Sequence, residues 1–253
     1  MVETIVLYSH RGGTGKSTLL TNMAVLIAAG GHRVALVDTD IQSPTLDALF
    51  GLDPGECSLT DYLLGRCEIE HAAHPVHPPG LYLVPARTAT SSLAEIMATG
   101  YDVGLLPEAF GRLADHYDLD VLLLDTHAGL NNETVTAMAS ADALVIVVRA
   151  DRIDLAGAAE IRALAGHLTC RRALVVSMAP EGIDPEHVRG RAERAYGAAT
   201  AGVLPYVAEL AEIGGERIFA QACPDHPLVA EFRNIISALV RPDETRSAEP
   251  AET

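Results

Sequence analysis

The sequence predicts an α/β fold in which a doubly wound, mostly parallel sheet of about seven or eight strands has helices on both faces. Short apolar runs rich in strand-forming residues recur along the 253-residue chain. Segments long enough for helices of about ten residues separate most of these runs, which is typical of parallel strands joined by helical crossovers. Right-handed crossovers bring the carboxyl ends of such strands to one edge of the sheet, where we expect a ligand site.

The elements follow in chain order. Seven strands are predicted, at residues 4–9, 33–38, 81–85, 120–125, 143–148, 172–177 and 201–204. A first helix begins at Ser17 and ends at Gly30 and Gly31, because glycine accepts the conformation that follows a helix. Residues 51–80 are expected to be a proline-broken connection. A helix is predicted over residues 185–196, and a last helix packs one apolar face, with Phe232, Ile235, Ile236 and Leu239, on the core.

Composition limits the class of protein. A single domain over residues 1–240 and a disordered polar tail over 241–253 are the simplest division. The formal net charge of −16 argues against a surface that binds nucleic acid throughout, although it leaves room for a local basic patch. No apolar run approaches the roughly 20 residues of a membrane helix, and the tail lacks the character of a membrane-surface anchor. We therefore expect a cytoplasmic protein.

The cysteine pattern also fits a cytoplasmic protein. The four cysteines are scattered and form no Cys-x-x-Cys pair; they are Cys57, Cys67, Cys170 and Cys223. We expect all four to be reduced thiols in or near the core.

A glycine-rich loop lies between the first strand and the first helix, with the sequence Arg-Gly-Gly-Thr-Gly-Lys-Ser-Thr. Its glycines let backbone N–H groups turn toward an anion, and the helix N-terminus adds further N–H groups and the positive end of its dipole. Lys16 is expected to reach the β- and γ-phosphates of a nucleotide, and Ser17 to bind Mg²⁺ through its hydroxyl. The predicted phosphate-binding residues are Gly12, Gly13, Thr14, Gly15, Lys16, Ser17 and Thr18.

Carboxylates follow two of the other predicted strands. Asp38 and Asp40 come at the end of the second strand, and their spacing of two directs both side chains to one side. One can orient or deprotonate an attacking water while the other organises Mg²⁺ or the loop; a turn-capping role is the alternative for either. Asp125 follows the apolar fourth strand and can hold Mg²⁺ directly or through water.

These three motifs together resemble the MinD/ParA family of P-loop ATPases, whose loop reads Lys-Gly-Gly-x-Gly-Lys-Ser/Thr. The resemblance covers residues 4–239 and implies that Asp40 activates water and that Asp125 ends the Walker B strand. It also implies that Arg11 stands where the family has a signature lysine, which crosses a dimer interface to the partner's nucleotide. Arginine keeps the positive charge but not the shape of lysine. The alternatives are an arginine that faces solvent, a weaker dimer, or an arginine that acts only on its own site.

The same resemblance implies an adenine site at the ends of the last two predicted strands, near Ser177, Pro205 and Tyr206. Many members have asparagine where Ser177 stands, so adenine binding is implied by the family rather than by these residues. His10 and His127 are candidate acid–base residues beside the phosphates, and the alternative is that both are neutral and hydrogen-bonded.

The function implied by the resemblance is an ATP-dependent homodimerisation switch that hydrolyses ATP to ADP and phosphate with Mg²⁺. Such switches commonly position DNA, a division site or another cargo, and we expect an ATPase-activating or cargo-adaptor partner. A non-hydrolysing nucleotide sensor and a metallocentre-assembly ATPase are the alternatives, and the second usually needs paired cysteines. Nonspecific DNA contact through Arg189, Arg191 and Arg194 is an alternative to an ordinary solvated helix face.

Overall fold

A computed structural model describes residues 2–53, 57–87, 100–151, 154, 157–213, 215 and 217–241. Its centre is an eight-stranded sheet in the order β3-β4-β2-β5-β1-β6-β7-β8. The strands are β1 (Glu3–Tyr8), β2 (Val34–Asp38), β3 (His74–Val76), β4 (Leu81–Val84), β5 (Val121–Asp125), β6 (Ala143–Arg149), β7 (Arg171–Ala179) and β8 (Ala199–Pro205).

Every neighbouring pair in this sheet is parallel except β3 with β4. The predicted mostly parallel sheet is thus confirmed, and all seven predicted strands are present. Strand β3 was not predicted, since it lies inside the segment 51–80 that was expected to be a connection without a strand. Pro75 cannot donate to a ladder, but it is tolerated here because β3 is an edge strand.

Helices cover both faces of the sheet. They are α1 (Lys16–Ala29), α2 (Leu46–Phe50), α3 (Leu59–Leu63), α4 (Leu105–Tyr117), α5 (Asn132–Ala139), α6 (Ala158–Ala165), α7 (Pro185–Tyr196), α8 (Ala208–Ile213), α9 (Phe219–Ala222) and α10 (Pro227–Leu239), with a 3₁₀ turn at Ile69–Ala72. The predicted helix over 185–196 is confirmed as α7.

Alternate residues of the central strand enter two separate cores. Val6 of β1 packs in a core that α4, α5 and α7 cover, whereas Ile5 and Leu7 pack in a second core under α1 and α10. All three side chains are fully buried, as expected for a parallel strand covered on both faces. The fold therefore leaves the strand ends, rather than a sheet face, for ligand binding.

One cysteine prediction is wrong. Cys57 and Cys67 form a disulfide, with Cα atoms 6.3 Å apart on either side of α3, whereas Cys170 and Cys223 are free. A spacing of ten residues does not by itself predict a disulfide. The two cysteines meet because the short helix α3 between them brings the two positions together.

The disordered tail predicted over residues 241–253 lies outside the described residues from residue 242 onward, and its disorder stays a prediction. Across the part of the chain that is described, no helix combines the length and the apolar character that crossing a bilayer requires.

Candidate functional site

The glycine-rich loop connects the end of β1 to the start of α1 at the carboxyl edge of the sheet. Gly13 and Gly15 adopt φ angles of 72° and 80°, which side-chain-bearing residues rarely adopt. A Cβ atom on Gly12 or Gly13 would meet nothing within 4 Å, so the space above the loop is open. The loop therefore has the backbone form and the open space that an anion needs.

A cleft of about 660 Å³ lies over this loop. The structure brings to it most of the predicted phosphate and catalytic residues, namely Gly12, Gly13, Thr14, Gly15, Lys16, Ser17, Thr18, Asp40 and Asp125. His127 also lines the cleft, whereas Arg11 and Asp38 do not.

Asp125, at the end of β5, contacts both polar side chains at the start of α1. Lys16 Nζ donates to Asp125 Oδ1 at 2.5 Å, and Ser17 Oγ donates to Asp125 Oδ2 at 2.6 Å. Asp125 and Lys16 are both buried, so this pair lies in a water-poor part of the cleft. The lysine charge therefore rests against the carboxylate.

The donor set beside the loop fits magnesium. A hydroxyl and a carboxylate are hard oxygen ligands, and Mg²⁺ is usually held by one or two carboxylates with phosphates and water. Among the described residues no group of three His, Cys, Asp or Glu side chains gathers as a closed metal site. Ser17 and Asp125 could therefore hold Mg²⁺ together with a bound phosphate, which is an open arrangement rather than a protein cage.

Asp38 lies beside Asp125 in the sheet, because the two are paired in the register of β2 and β5. Its carboxylate accepts backbone N–H groups from Asp40, Thr45 and Leu46. Burial, together with the charge of Asp125, raises the pKa of Asp38 to about 8. Its contacts fit the alternative in which this acid organises the loop, and its predicted role as a magnesium ligand stays a prediction.

The raised pKa of Asp38 makes the stability of the nucleotide-free protein depend on pH. The folded state keeps a proton that the unfolded state loses near pH 3.8, so stability falls as pH rises from about 4 toward 8. We expect Asp38→Asn to remove this loss, so that the free energy of unfolding falls less between pH 5 and pH 8 in the variant than in the wild type. Urea unfolding without Mg²⁺ measures it, with the exposed Asp225→Asn as the control. An unchanged pH dependence in Asp38→Asn would contradict the assignment.

Asp40 faces the cleft and is held from two sides. His127 Nδ1 lies 3.0 Å from both carboxylate oxygens, and the Ser43 N–H donates to Oδ1 at 3.0 Å. These contacts restrict the orientation of the Asp40 carboxylate. His127 is thus hydrogen-bonded, as in the alternative given above, although the sequence did not indicate Asp40 as its partner.

Arg11 turns toward its own chain. Its Nε donates to Asp154 Oδ1 at 2.7 Å and its Nη2 donates to Asp151 Oδ2 at 2.9 Å. Asp154 is buried and also accepts the backbone N–H of Arg149 at 2.7 Å. These ion pairs direct Arg11 to two carboxylates of its own chain and not to the cleft, and its predicted cross-subunit role stays a prediction.

Asp151 and Asp154, which follow β6, are also bonded to each other. Asp151 Oδ1 accepts the N–H of Asp154 at 2.9 Å, while the Asp154 carboxylate faces Arg11 and the N–H of Arg149.

A second pocket, of about 220 Å³, opens beside the loop and shares Gly15 and Thr18 with the cleft. The three residues predicted for adenine, Ser177, Pro205 and Tyr206, line it together. Its remaining walls are apolar and come from α1, α8, α10 and the ends of β7 and β8; they include Leu19, Met178, Leu204, Leu210 and Phe232. The sequence does not indicate these walls, because an apolar helix residue that lines a pocket has the same pattern as one in the core.

The basic helix face proposed for DNA is partly tied to the fold. Arg189 on α7 donates through Nη1 to Thr200 O at 2.6 Å and through Nε to Glu186 at 3.3 Å. These bonds direct one of the three predicted arginines to its own chain.

Comparison with known proteins matches a family model described as an AAA domain over residues 2–171. An uncharacterized ATP-binding protein of Methanocaldococcus jannaschii is 30% identical over 176 residues, 66% of this chain and 61% of that protein. The antiactivator FleN of Pseudomonas aeruginosa is 34% identical over 147 residues, 58% of this chain and 50% of FleN. The septum site-determining protein MinD of Bacillus subtilis is 31% identical over 152 residues, 58% of this chain and 53% of MinD. The chain thus spans about half to three-fifths of the length of these relatives.

Solved structures share the fold over nearly the whole chain. The cell division ATPase MinD of Pyrococcus furiosus superposes with a TM-score of 0.79 at 23% identity, over 93% of this chain and 97% of that one. MinD of Pyrococcus horikoshii in complex with Mg-ADP superposes with a TM-score of 0.77 at 23% identity, over 93% of this chain and 94% of that one.

Proposed function

We propose that this chain, which belongs to the MinD/ParA family of P-loop ATPases, is an ATP-hydrolysing dimerisation switch. One observation carries the proposal: the glycine loop, Lys16 and the Ser17–Asp125 pair line a single cleft that adjoins an apolar pocket. A triphosphate fits the backbone N–H groups of the loop, and a purine base fits the apolar pocket.

Binding begins at the start of α1. The loop N–H groups and the positive end of the helix dipole attract the phosphates, and Lys16 leaves Asp125 to contact them. Ser17 and Asp125 are then free to hold Mg²⁺, with Asp38 behind them in the sheet. Bound magnesium supplies positive charge that offsets the negative charge on the phosphate oxygens.

Hydrolysis needs an oriented water molecule beside the terminal phosphate. Asp40 is the residue we propose for this role, since its carboxylate lines the cleft and can accept a hydrogen bond or a proton from water. The contacts from His127 and from the Ser43 N–H keep the carboxylate in one orientation. Phosphoryl transfer depends mainly on positioning and charge, so the fixed orientation of the Asp40 carboxylate is expected to raise the hydrolysis rate.

Dimerisation is the proposed role of Arg11. We propose that Arg11 exchanges Asp151 and Asp154 for the partner subunit's nucleotide when two ATP-bound subunits meet. The Asp154 carboxylate would still accept the backbone N–H of Arg149, and the Arg149 guanidinium lies 4.0 Å from it. The buried carboxylate therefore retains a hydrogen bond and a nearby positive charge. A two-fold dimer would form this contact twice.

Arg11→Ala is expected to weaken ATP-dependent dimerisation by about 100- to 10,000-fold, because the dimer loses two charge-assisted phosphate contacts, each worth about 1.5–3 kcal/mol. ATP binding to one subunit should change by less than about threefold. Light scattering in excess ATP measures the dimer, and Arg11→Lys, which restores the family residue, is the control that should still dimerise. If Arg11→Ala had the dimer mass of the wild type at all concentrations, the cross-subunit role would be excluded.

The cellular role we propose is positioning or regulation of a cargo through a protein partner. The names of the relatives support two forms of it, since one is a septum site-determining protein and another is an antiactivator. The name of FleN, an antiactivator, supports regulation of a partner, and the second candidate is a nucleotide sensor that regulates its partner without turnover. Nonspecific DNA is a possible track only through a local patch, given the net charge of −16.

One set of measurements tests the proposal: ATPase rate and oligomer mass with ATP and with ADP, each with and without nonspecific DNA. The switch predicts turnover, a dimer in ATP and a monomer in ADP. ATP binding and a dimer without turnover would instead support the nucleotide sensor. A rate that rises with DNA and falls with salt would establish DNA as the track.

A further inference from the structure

Ser177 makes a long-range contact with the phosphate-binding loop. Its Oγ donates to the carbonyl oxygen of Thr14 at 2.6 Å, across 163 residues of sequence. Both residues are buried, with 5% and 1% of their surface exposed. The end of β7 is therefore bonded to the middle of the loop that lies under the proposed phosphates.

An irregularity in β7 directs Ser177 to this position. Val176 pairs with Val203 and Ala179 pairs with Pro205, so β7 has one more residue than β8 in this interval. Such a bulge re-aims a side chain, and Met178 within it has a φ of 52°. A Cβ atom added to Gly15 would lie 3.6 Å from Met178 Cε, so Met178 stands beside Gly15. The bulge thus bonds the loop through Ser177 and places Met178 next to it.

The hydroxyl of Ser177 has one hydrogen to donate, and the Thr14 carbonyl accepts it. A second carbonyl, of Val148, lies 3.4 Å from the same oxygen. Two backbone carbonyls thus surround the hydroxyl, while the pocket beside it is walled mainly by apolar side chains. Ser177 therefore has no hydrogen left to donate to a purine ring nitrogen, and only the lone pairs of its oxygen remain for other partners.

We propose that Ser177 is a positioning residue for the phosphate loop and not a reader of the base. This inference rests on the proposed function, because it assigns a role within the same nucleotide site. Ser177 holds the Thr14 carbonyl so that the neighbouring N–H groups face the phosphates, and it adds affinity for any triphosphate. Discrimination between adenine and guanine then does not depend on this side chain.

The test compares Ser177→Ala with the wild type and with Ser177→Thr, which keeps the hydroxyl. Calorimetry with Mg²⁺ measures affinity for ATP, for GTP and, in competition with ATP, for tripolyphosphate, which has no base. Ser177→Ala is expected to lose about tenfold for all three, because a buried carbonyl loses its donor. The ratio of ATP to GTP affinity should stay within about twofold, and Ser177→Thr should restore binding.

Two results would overturn the inference. The first is a loss for ATP with unchanged tripolyphosphate binding or with an ATP-to-GTP ratio altered more than about threefold, which would assign Ser177 to the base. The second is unchanged affinity for all three probes in a folded Ser177→Ala protein, checked by thermal unfolding. Failure of the wild type to bind ATP would instead contradict the proposed function itself.

Discussion

Lys16→Ala is expected to weaken Mg-ATP binding by about 100-fold or more, as measured by calorimetry. Lys16 is the one cation that lines the cleft within the described residues, and it is 9% exposed, so its attraction for phosphate is little screened by water. In the proposed complex Lys16 leaves Asp125 for the phosphates, so its removal takes away a charge-assisted bond to the triphosphate.

Arg233→Ala is the matched control for this result. It removes one positive charge from an exposed position on α10 and should leave ATP binding within about twofold of the wild type. A similar loss in both variants would mean that overall charge, and not the loop, governs affinity. Full ATP affinity in Lys16→Ala would contradict the phosphate site.

Asp40→Asn is expected to lower the hydrolysis rate by about 100- to 1,000-fold while ATP affinity changes little. Asparagine has nearly the same size and can still accept the Ser43 N–H, so the loop is preserved. It cannot take a proton from water, and the pairing with His127 loses its charge. Single-turnover hydrolysis measures the rate, and light scattering should show that the ATP-bound dimer persists.

Asp47→Asn, on the neighbouring helix α2, is the control for the loss of a carboxylate. Asp47 does not line the cleft, and its carboxylate accepts the N–H of Ala48. Its replacement should leave the rate within about twofold. Equal rates for Asp40→Asn and the wild type would remove Asp40 from the water-activating role.

Much of the fold could be predicted because buried parallel strands have an unambiguous sequence pattern. Strand β5 reads Val-Leu-Leu-Leu-Asp, and its apolar residues are buried, as its composition indicated. β3 could not be predicted in the same way. It has three residues, includes Pro75 and lies at an edge, so it has neither the length nor the pattern of the others.

In the candidate site, too, local motifs could be predicted and long-range contacts could not. The phosphate loop and the carboxylates at strand ends are local patterns, so sequence placed them correctly at one edge. The partners of these side chains are not local: Arg11 reaches Asp154 across 143 residues and His127 reaches Asp40 across 87. Such pairings depend on the direction of each side chain at a strand end, which short motifs do not encode. The Cys57–Cys67 disulfide was missed for a different reason, since a spacing of ten residues matches no paired-cysteine motif.

Lys16 offers the most direct measurement of the central claim, because it is the single lysine among the 253 residues. Protein labelled with ¹³C at the lysine ε-carbon should show one lysine resonance by NMR. Addition of Mg-ATP is predicted to shift this resonance and saturate with one nucleotide per subunit, as Lys16 moves from Asp125 to the phosphates. An unshifted resonance at millimolar Mg-ATP would contradict the assignment of this loop as the nucleotide site.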